Sequence, residues 1–244
     1  MNIIIPMMGQ SSRFKNEGFG DKYRLPVGSR SLFSQSLLSF RKYFSSATFF
    51  FVFPFDREVE GFVDSECEIL GISSITKIQL AIPTRGQAHT VAIACEKISD
   101  DKDIIIFNID TIRLNFIAPI FQPSCIGWIE VFKGSGNQWS YARVDEDGFL
   151  VEAAEKQEIS ELASNGMYGF LSAREYLNIY LEHYGSKKQS SEIGEEYIAP
   201  MFNTAVKAGR VRVFITPVEN NIFSGTPSEY LALIRNDEII NRLP

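Results

Sequence analysis

Three short stretches carry residue types that could do chemistry, and they share one theme, the handling of phosphate. Gly9-Gln10-Ser11-Ser12-Arg13-Phe14 is small and polar, so its backbone N–H groups can approach an anion closely. Arg13 can clamp phosphate oxygens in a bidentate fork. Lys22 and Arg24 add two cations further along the same polar stretch, which runs to Gly28. Asn108-Ile109-Asp110 follows an apolar run and ends on an acid. A carboxylate there suits a Mg²⁺ bridging phosphate oxygens, or alternatively an N-cap for the segment starting at Thr111. Glu155-Lys156 is a carboxylate beside an ammonium, either a pair of ligand contacts or an ordinary exposed ion pair.

Standard nucleotide fingerprints are missing from the first stretch. It contains neither G-x-G-x-x-G nor G-K-[ST], and Arg30 stands where a ribose-binding acid would fall. A long polar loop inside a compact domain is uncommon and usually functional.

The elements that must position these residues follow from hydrophobic periodicity. Ile3–Met7, Thr48–Phe53 and Ile104–Phe107 are short, almost wholly apolar runs, as expected of strands buried on both faces. A further strand is predicted over 77–82, with helices over 31–44, 57–64 and Gln87–Ile98 between them. Strand–helix alternation implies right-handed crossovers and a doubly wound parallel sheet. Such sheets bind ligands beyond the carboxyl ends of their strands, here the loops after Met7 and Phe107. From Cys125 the pattern changes to strands over Ile126–Phe132, Tyr141–Val144, Leu150–Ala154 and Asn165–Leu171, with turn residues between them. These predict antiparallel additions at one edge. Helices are expected over Ala173–His183, Glu195–Ala208 and Pro227–Asn241, and a strand over Val211–Ile215.

The chain has 244 residues and 45% hydrophobic content, enough for one large α/β domain with a sizeable core. Its net charge of −6 argues against a nucleic-acid or anionic-membrane surface while leaving room for one nucleotide. Cys67, Cys95 and Cys125 are widely spaced and odd in number, which predicts free thiols in a reducing cytoplasm. No run approaches the ~20 apolar residues of a membrane span.

The stretch from Pro6 to Val27 resembles the sugar-phosphate nucleotidyltransferase family, whose loop reads M-A-G-x-G-S-R-F, then G-Y-x-x-P-K-P-L. Met7, Gly9, Ser12, Arg13 and Phe14 match, and so do Gly18, Phe19, Lys22, Pro26 and Val27. Ser11 replaces a usual glycine, Met8 a small residue and Asp21 a proline. The resemblance implies a Rossmann-like, GT-A-type α/β fold with a mixed, mainly parallel sheet flanked by helices and a smaller β-rich acceptor-binding part. It implies a single nucleotidyltransferase domain over 1–244, with a nucleotide-binding half at 1–120 and an acceptor-binding half at 121–244.

The same resemblance implies a Mg²⁺-dependent transfer of a nucleoside monophosphate to a phosphorylated acceptor, with release of pyrophosphate. Lys22, Arg13 and Asp110 would be catalytic, Asp110 also holding the metal. Met8, Gly9, Gln10, Ser11, Ser12, Arg13, Gly86, Gln87 and Asn108 would bind the nucleotide. Gly86 and Gln87 belong to Arg85-Gly86-Gln87-Ala88-His89-Thr90, similar to the family's base-reading segment; first-turn helix solvation is the plainer role for Gln87. Glu155, Lys156, Gly166, Tyr168, Glu192, Glu195 and Tyr197 would bind the acceptor. Acids near Glu192 and Glu195 would suit an acceptor bearing an amine or several hydroxyls, or would simply charge a helix N-terminus.

Ser224-Gly225-Thr226-Pro227-Ser228-Glu229-Tyr230 is similar to a family G-T-P segment. Thr226 with Glu229 makes a capping box, and Pro227 takes the first helical position. Asn220, Asn221 and Ser224 are the candidates for a second metal ligand. The order of motifs is most similar to small cytidylyltransferases, which favours CTP as nucleotide and phosphoglutamine as acceptor, in capsule biosynthesis. A sugar 1-phosphate is the alternative acceptor. A nucleotide-sugar glycosyltransferase and a non-catalytic nucleotide sensor are the alternatives of other classes.

Overall fold

The structure, a computed structural model, describes residues 1–185 and 194–243. In chain order the strands are β1 (Asn2–Pro6), β2 (Pro26–Val27), β3 (Arg30–Ser31), β4 (Thr48–Pro54), β5 (Ile75–Leu80), β6 (Ile104–Ile106), β7 (Thr111–Arg113), β8 (Cys125–Lys133), β9 (Ser140–Val144), β10 (Leu150–Glu155), β11 (Leu162–Phe170), β12 (Arg210–Ile215) and β13 (Asn221–Phe223). The helices are α1 (Ser12–Asn16), α2 (Leu32–Leu37), α3 (Arg57–Leu70), α4 (Gln87–Cys95), α5 (Ala173–Tyr184), α6 (Phe202–Ala208), α7 (Pro227–Ile234) and α8 (Asp237–Ile240).

One large sheet carries the fold. Its parallel part runs β6-β1-β4-β5, and the antiparallel β11 joins it along β6. Strands β9 and β10 extend the sheet from β11, while β8 pairs with β11 and then with a parallel β12. The parallel strands read as unbroken apolar runs because successive side chains point to opposite faces and both faces are covered. Ile4, Val52, Ile104 and Ile106 pack on α4, α5 and α6. Ile3, Ile5, Phe49, Phe51, Phe53 and Ile105 pack on α2 and α3. This is the expected mixed, mainly parallel α/β architecture.

Three of the expected helices are built differently in the structure. The stretch 31–44 is α-helical only to Leu37; it tightens into a 3-10 turn over Leu38–Tyr43, with Phe40 at φ −105° and ψ 15°. The helix expected over Glu195–Ala208 begins as a 3-10 turn at Ala199 and becomes α-helical at Phe202. The backbone of Glu196 is already committed elsewhere, its N–H donating to the Arg85 carbonyl and its carbonyl accepting from the Ala88 N–H, at 2.8 and 2.9 Å. The last helix is interrupted after Ile234, and Asn236 caps a separate α8 by accepting from the Ile239 N–H.

The polar stretch after β1 is less irregular than the sequence suggests. It holds the short α1 and a 3-10 turn over Lys22–Arg24. Phe14 anchors it by packing edge-on to Phe19 and Tyr230, inside an apolar cluster with Leu25, Val27, Ile112, Ile222 and Leu233. Asp21, where the family carries proline, pairs with Lys15 at 2.8 Å across the same loop. The three cysteines are buried free thiols, and burial pushes Cys67 up to about 12. Among the described residues no helix is long and apolar enough to cross a membrane.

Candidate active site

A cavity of about 740 Å³ opens beyond the carboxyl ends of β1 and β6, where a doubly wound sheet is expected to bind its ligand. Met8, Gly9, Gln10, Ser12, Arg13 and Lys22 line it from the loop after β1. A Cβ at Gly9 would meet nothing within 4 Å, so bare backbone borders open space there. Ser11 is not part of the lining; it takes a left-handed φ of 53° and its Oγ accepts from the Lys22 N–H at 3.3 Å, closing the loop on itself. Arg24 also turns away, its guanidinium lying 4.8 Å from the centre of the Phe62 ring.

Asp110 enters from the loop after β6 and is not an N-cap, because β7 follows at once. Its Oδ2 accepts from Lys22 Nζ at 2.6 Å, and both side chains are about four-fifths buried, at 19% and 22% exposure. The neighbouring Asn108 accepts from Gln87 Nε2, so α4 and the strand end meet over the cavity floor. Gly166 completes this corner. It has φ +84° and a Cβ there would lie 2.6 Å from Asn108 Nδ2. The pairing of β11 with β8 shifts register between Ser164 and Tyr168, so Gly166 sits in a bulge, a frequent device for re-aiming strands next to active sites.

Gly86 has a structural reason of its own. Its φ is +147°, and a Cβ would lie 2.5 Å from both the N and the O of Glu196. The Glu195–Tyr197 segment is therefore clamped onto the start of α4. Below it, Arg85 Nε donates to the fully buried Glu196 at 2.6 Å, and Tyr180 Oη donates to the second Glu196 oxygen at 2.6 Å. That carboxylate raises the Arg85 pKa. His89 is structural, with Nδ1 accepting from the Arg85 N–H and its ring stacked on Tyr180.

Glu155 and Lys156 share the cavity but not a common bond. Glu155 accepts from Ser140 Oγ, and burial raises its pKa against the opposing pull of Ser140 and Lys156. Lys156, at φ +56°, swings its Nζ to Tyr197 Oη at 2.6 Å; Tyr197 in turn donates to Glu195 at 2.6 Å. The bond to Tyr197 raises the Lys156 pKa. Tyr168 also lines the cavity, its hydroxyl pushed up to about 12 by burial. Glu192 lies outside the described residues.

Several lining residues are not among the site residues expected from the sequence. Trp139 and Ser140 arrive at the start of β9, Phe223 at the end of β13, and Gly225, Thr226 and Glu229 at the start of α7. Only the pairing of β13 with β7 brings this last group beside Asp110, with Ser224 N–H donating to the Asp110 carbonyl at 2.8 Å. Asn221 is spent in the interior, accepting from Asn165 at 2.8 Å and donating to the Pro217 carbonyl.

Among the described residues no three His, Cys, Asp or Glu side chains converge into a metal cage. Mg²⁺ does not need one, since it keeps waters and binds through one or two carboxylates plus substrate phosphates. Asp110 fits that donor set. Ser224, a candidate second ligand, does not line the cavity; its buried hydroxyl has no hydrogen-bond partner among the described residues.

The chain is 36% identical to a nucleoside-diphosphate-sugar pyrophosphorylase from Vibrio cholerae RC9, whose crystal structure superposes with a TM-score of 0.89 over 96% of this chain and 100% of that one. This chain belongs to that nucleotidyltransferase family. The nucleotidyltransferase also shares its fold with more distant structures. An inositol-1-phosphate CTP transferase from T. maritima is 15% identical, with a TM-score of 0.72 over 98% of this chain and 96% of that one. A UDP-glucose pyrophosphorylase complexed with UDP-glucose is 14% identical, with a TM-score of 0.72 over 96% and 97%. No protein-family model matches the sequence, and no curated protein does. Family membership makes the chain an enzyme rather than a silent sensor, and a nucleotidyltransferase rather than a glycosyltransferase.

Proposed function

We propose that this nucleotidyltransferase is a cytidylyltransferase that joins the CMP part of CTP to a small phosphorylated acceptor, with phosphoglutamine favoured, in capsule or surface-polysaccharide synthesis. The observation that carries the reading is a single cavity holding the Gly9–Arg13 loop, the Lys22–Asp110 pair and the Glu155–Lys156 corner together. Positioning and charge neutralisation suffice for such a transfer, and no protein nucleophile is needed.

In this reading an acceptor phosphate oxygen attacks the α-phosphorus in line. A new P–O bond forms, the α–β bridging bond breaks, and pyrophosphate leaves with its electron pair. Met8, Gly9, Gln10 and Ser12 cradle the triphosphate, and Arg13 neutralises its outer phosphates. Gly86, Gln87 and Asn108 read the base. Lys22 moves between Asp110 and the reacting phosphoryl oxygens, stabilising charge as it develops. Lys156 aligns the acceptor phosphate. Glu155, Glu195, Gly166, Tyr168 and Tyr197 hold the acceptor body, with the two acids suited to an ammonium group. A bound Mg²⁺, held by Asp110, would neutralise and orient phosphate oxygens. Residues 1–120 then supply the nucleotide side and residues 121–244 the acceptor side.

A sugar 1-phosphate is the second acceptor class, favoured by the name of the 36%-identical Vibrio relative. One experiment separates the two: pyrophosphate release with Mg²⁺, four triphosphates, and an acceptor panel of phosphoglutamine, phosphocholine and sugar 1-phosphates. Release that requires CTP and phosphoglutamine is expected. Release with a sugar 1-phosphate alone overturns the acceptor, and release with another triphosphate overturns the base.

A further inference from the structure

The residues nearest in sequence to a second metal position do not supply a carboxylate. Asn221 is consumed by Asn165 and Pro217, and the Asn220 carbonyl is taken by the Leu114 N–H at 2.8 Å. Yet a second acid does reach the Asp110 corner. A Cβ placed on Gly225 would lie 3.3 Å from Asp110 Oδ2 and 3.6 Å from Glu229 Oε2, so two carboxylates flank one point on bare backbone. Glu229 lines the same cavity as Asp110 and Lys22. The intervening segment is tied down by its backbone, the Ser224 N–H donating to the Asp110 carbonyl at 2.8 Å.

We infer that Glu229 is the second carboxylate of the divalent-cation site at Asp110, and that Gly225 is bare so that the two acids can converge. The inference rests on the assignment of Asp110 as a metal ligand made above. The helix cap explains only part of Glu229. The Thr226 N–H engages Oε2, one oxygen of the two, at 2.9 Å, and a cap is served equally by glutamate or glutamine. Two like charges facing one point repel unless a cation lies between them. Lys22 pairs with Asp110 alone, so the second carboxylate at this corner is left for a hydrated divalent ion whose remaining ligands are water and phosphate oxygens.

The capping box makes the test clean, because Glu229→Gln keeps the cap while removing the charge. Mn²⁺ binding is measured by electron paramagnetic resonance on the intact protein, alone and with CTP, with Tm recorded for each variant. Glu229→Gln is expected to weaken Mn²⁺ about tenfold or more at an unchanged Tm, as is Asp110→Asn. Wild-type Mn²⁺ affinity in Glu229→Gln, with affinity lost in Asp110→Asn, overturns this inference and leaves Asp110 standing. Wild-type affinity in Asp110→Asn overturns the metal assignment itself. Should Glu229→Gln lower Tm, Gly225→Ala decides: it keeps both acids but puts a methyl group against Asp110, and undiminished Mn²⁺ binding there overturns the inference.

Discussion

Lys22 and Asp110 form an ion pair that does little for stability. Both side chains are about four-fifths buried, so desolvation offsets most of their attraction, and both line a cavity where water can reach a charge left alone. Their value lies in presenting a cation and a carboxylate at one point of the cavity, so Asp110→Asn and Lys22→Ala are expected to lower kcat by about 100-fold or more while Tm stays near wild type. Steady-state kinetics beside a thermal melt checks this. Glu155 behaves in the opposite way. Burial raises its pKa above the ordinary carboxylate value, so the folded state holds a proton that the unfolded state has released. Stability therefore falls as pH rises from about 4.5, the ordinary value for a glutamate, through the raised value, and the penalty is absent below that window. Glu155→Gln should raise Tm at neutral pH, lose that advantage at acid pH, and raise KM for an ammonium-bearing acceptor. An equal Tm difference at every pH would show that the carboxylate charge is not the cause.

The corner of the cavity is built by whole elements meeting closely. The bulge in β11 brings Gly166 against Asn108, and the start of α4 brings Gly86 against the backbone of Glu196. At Gly166, alanine would face both a left-handed φ, costing roughly 1–2 kcal/mol, and contact with the Asn108 side chain. Gly166→Ala is expected to lower the urea midpoint and raise KM for the nucleotide together. A change in stability with an unchanged KM would separate the bulge from the site. The N-terminus of α7 shows the same coupling of structure and site. Thr226→Ala removes the cap, at a cost of about 1 kcal/mol, and frees the segment that carries Gly225 past Asp110.

At the scale of the whole molecule, the loop after β1, the β6–β7 corner, β11 and α7 all converge on one cavity from segments distant in sequence. Helix α7 holds the loop in place through Tyr230, which packs on Phe14 and Phe19 and donates to the Pro26 carbonyl at 2.9 Å. A nucleotide bound there should stabilise the entire fold. At 100 times its Kd, CTP with Mg²⁺ is expected to add about 2.7 kcal/mol, read as a rise in Tm within a single transition. A rise confined to one of two transitions would mean that the nucleotide side and the acceptor side melt independently.

The amino-acid sequence by itself determined the central sheet, because Ile3–Ile5, Phe49–Phe53 and Ile104–Ile106 are apolar on both faces and have nowhere to go but between helices. It also determined the chemical theme, through the glycines, hydroxyls and cations of Gly9–Lys22 and the acid at Asp110. What it left open depended on partners far along the chain. The helix expected from Glu195 gave way because Arg85 and Ala88 hold the Glu196 backbone. Arg24 was turned from the cavity by Phe62, and Lys156 from Glu155 by Tyr197. Glu229 reads locally as a helix cap and nothing more; only the pairing of β13 with β7 carries it to Asp110. Periodicity reports which face of an element is buried, and only tertiary structure decides which distant side chains share a cavity.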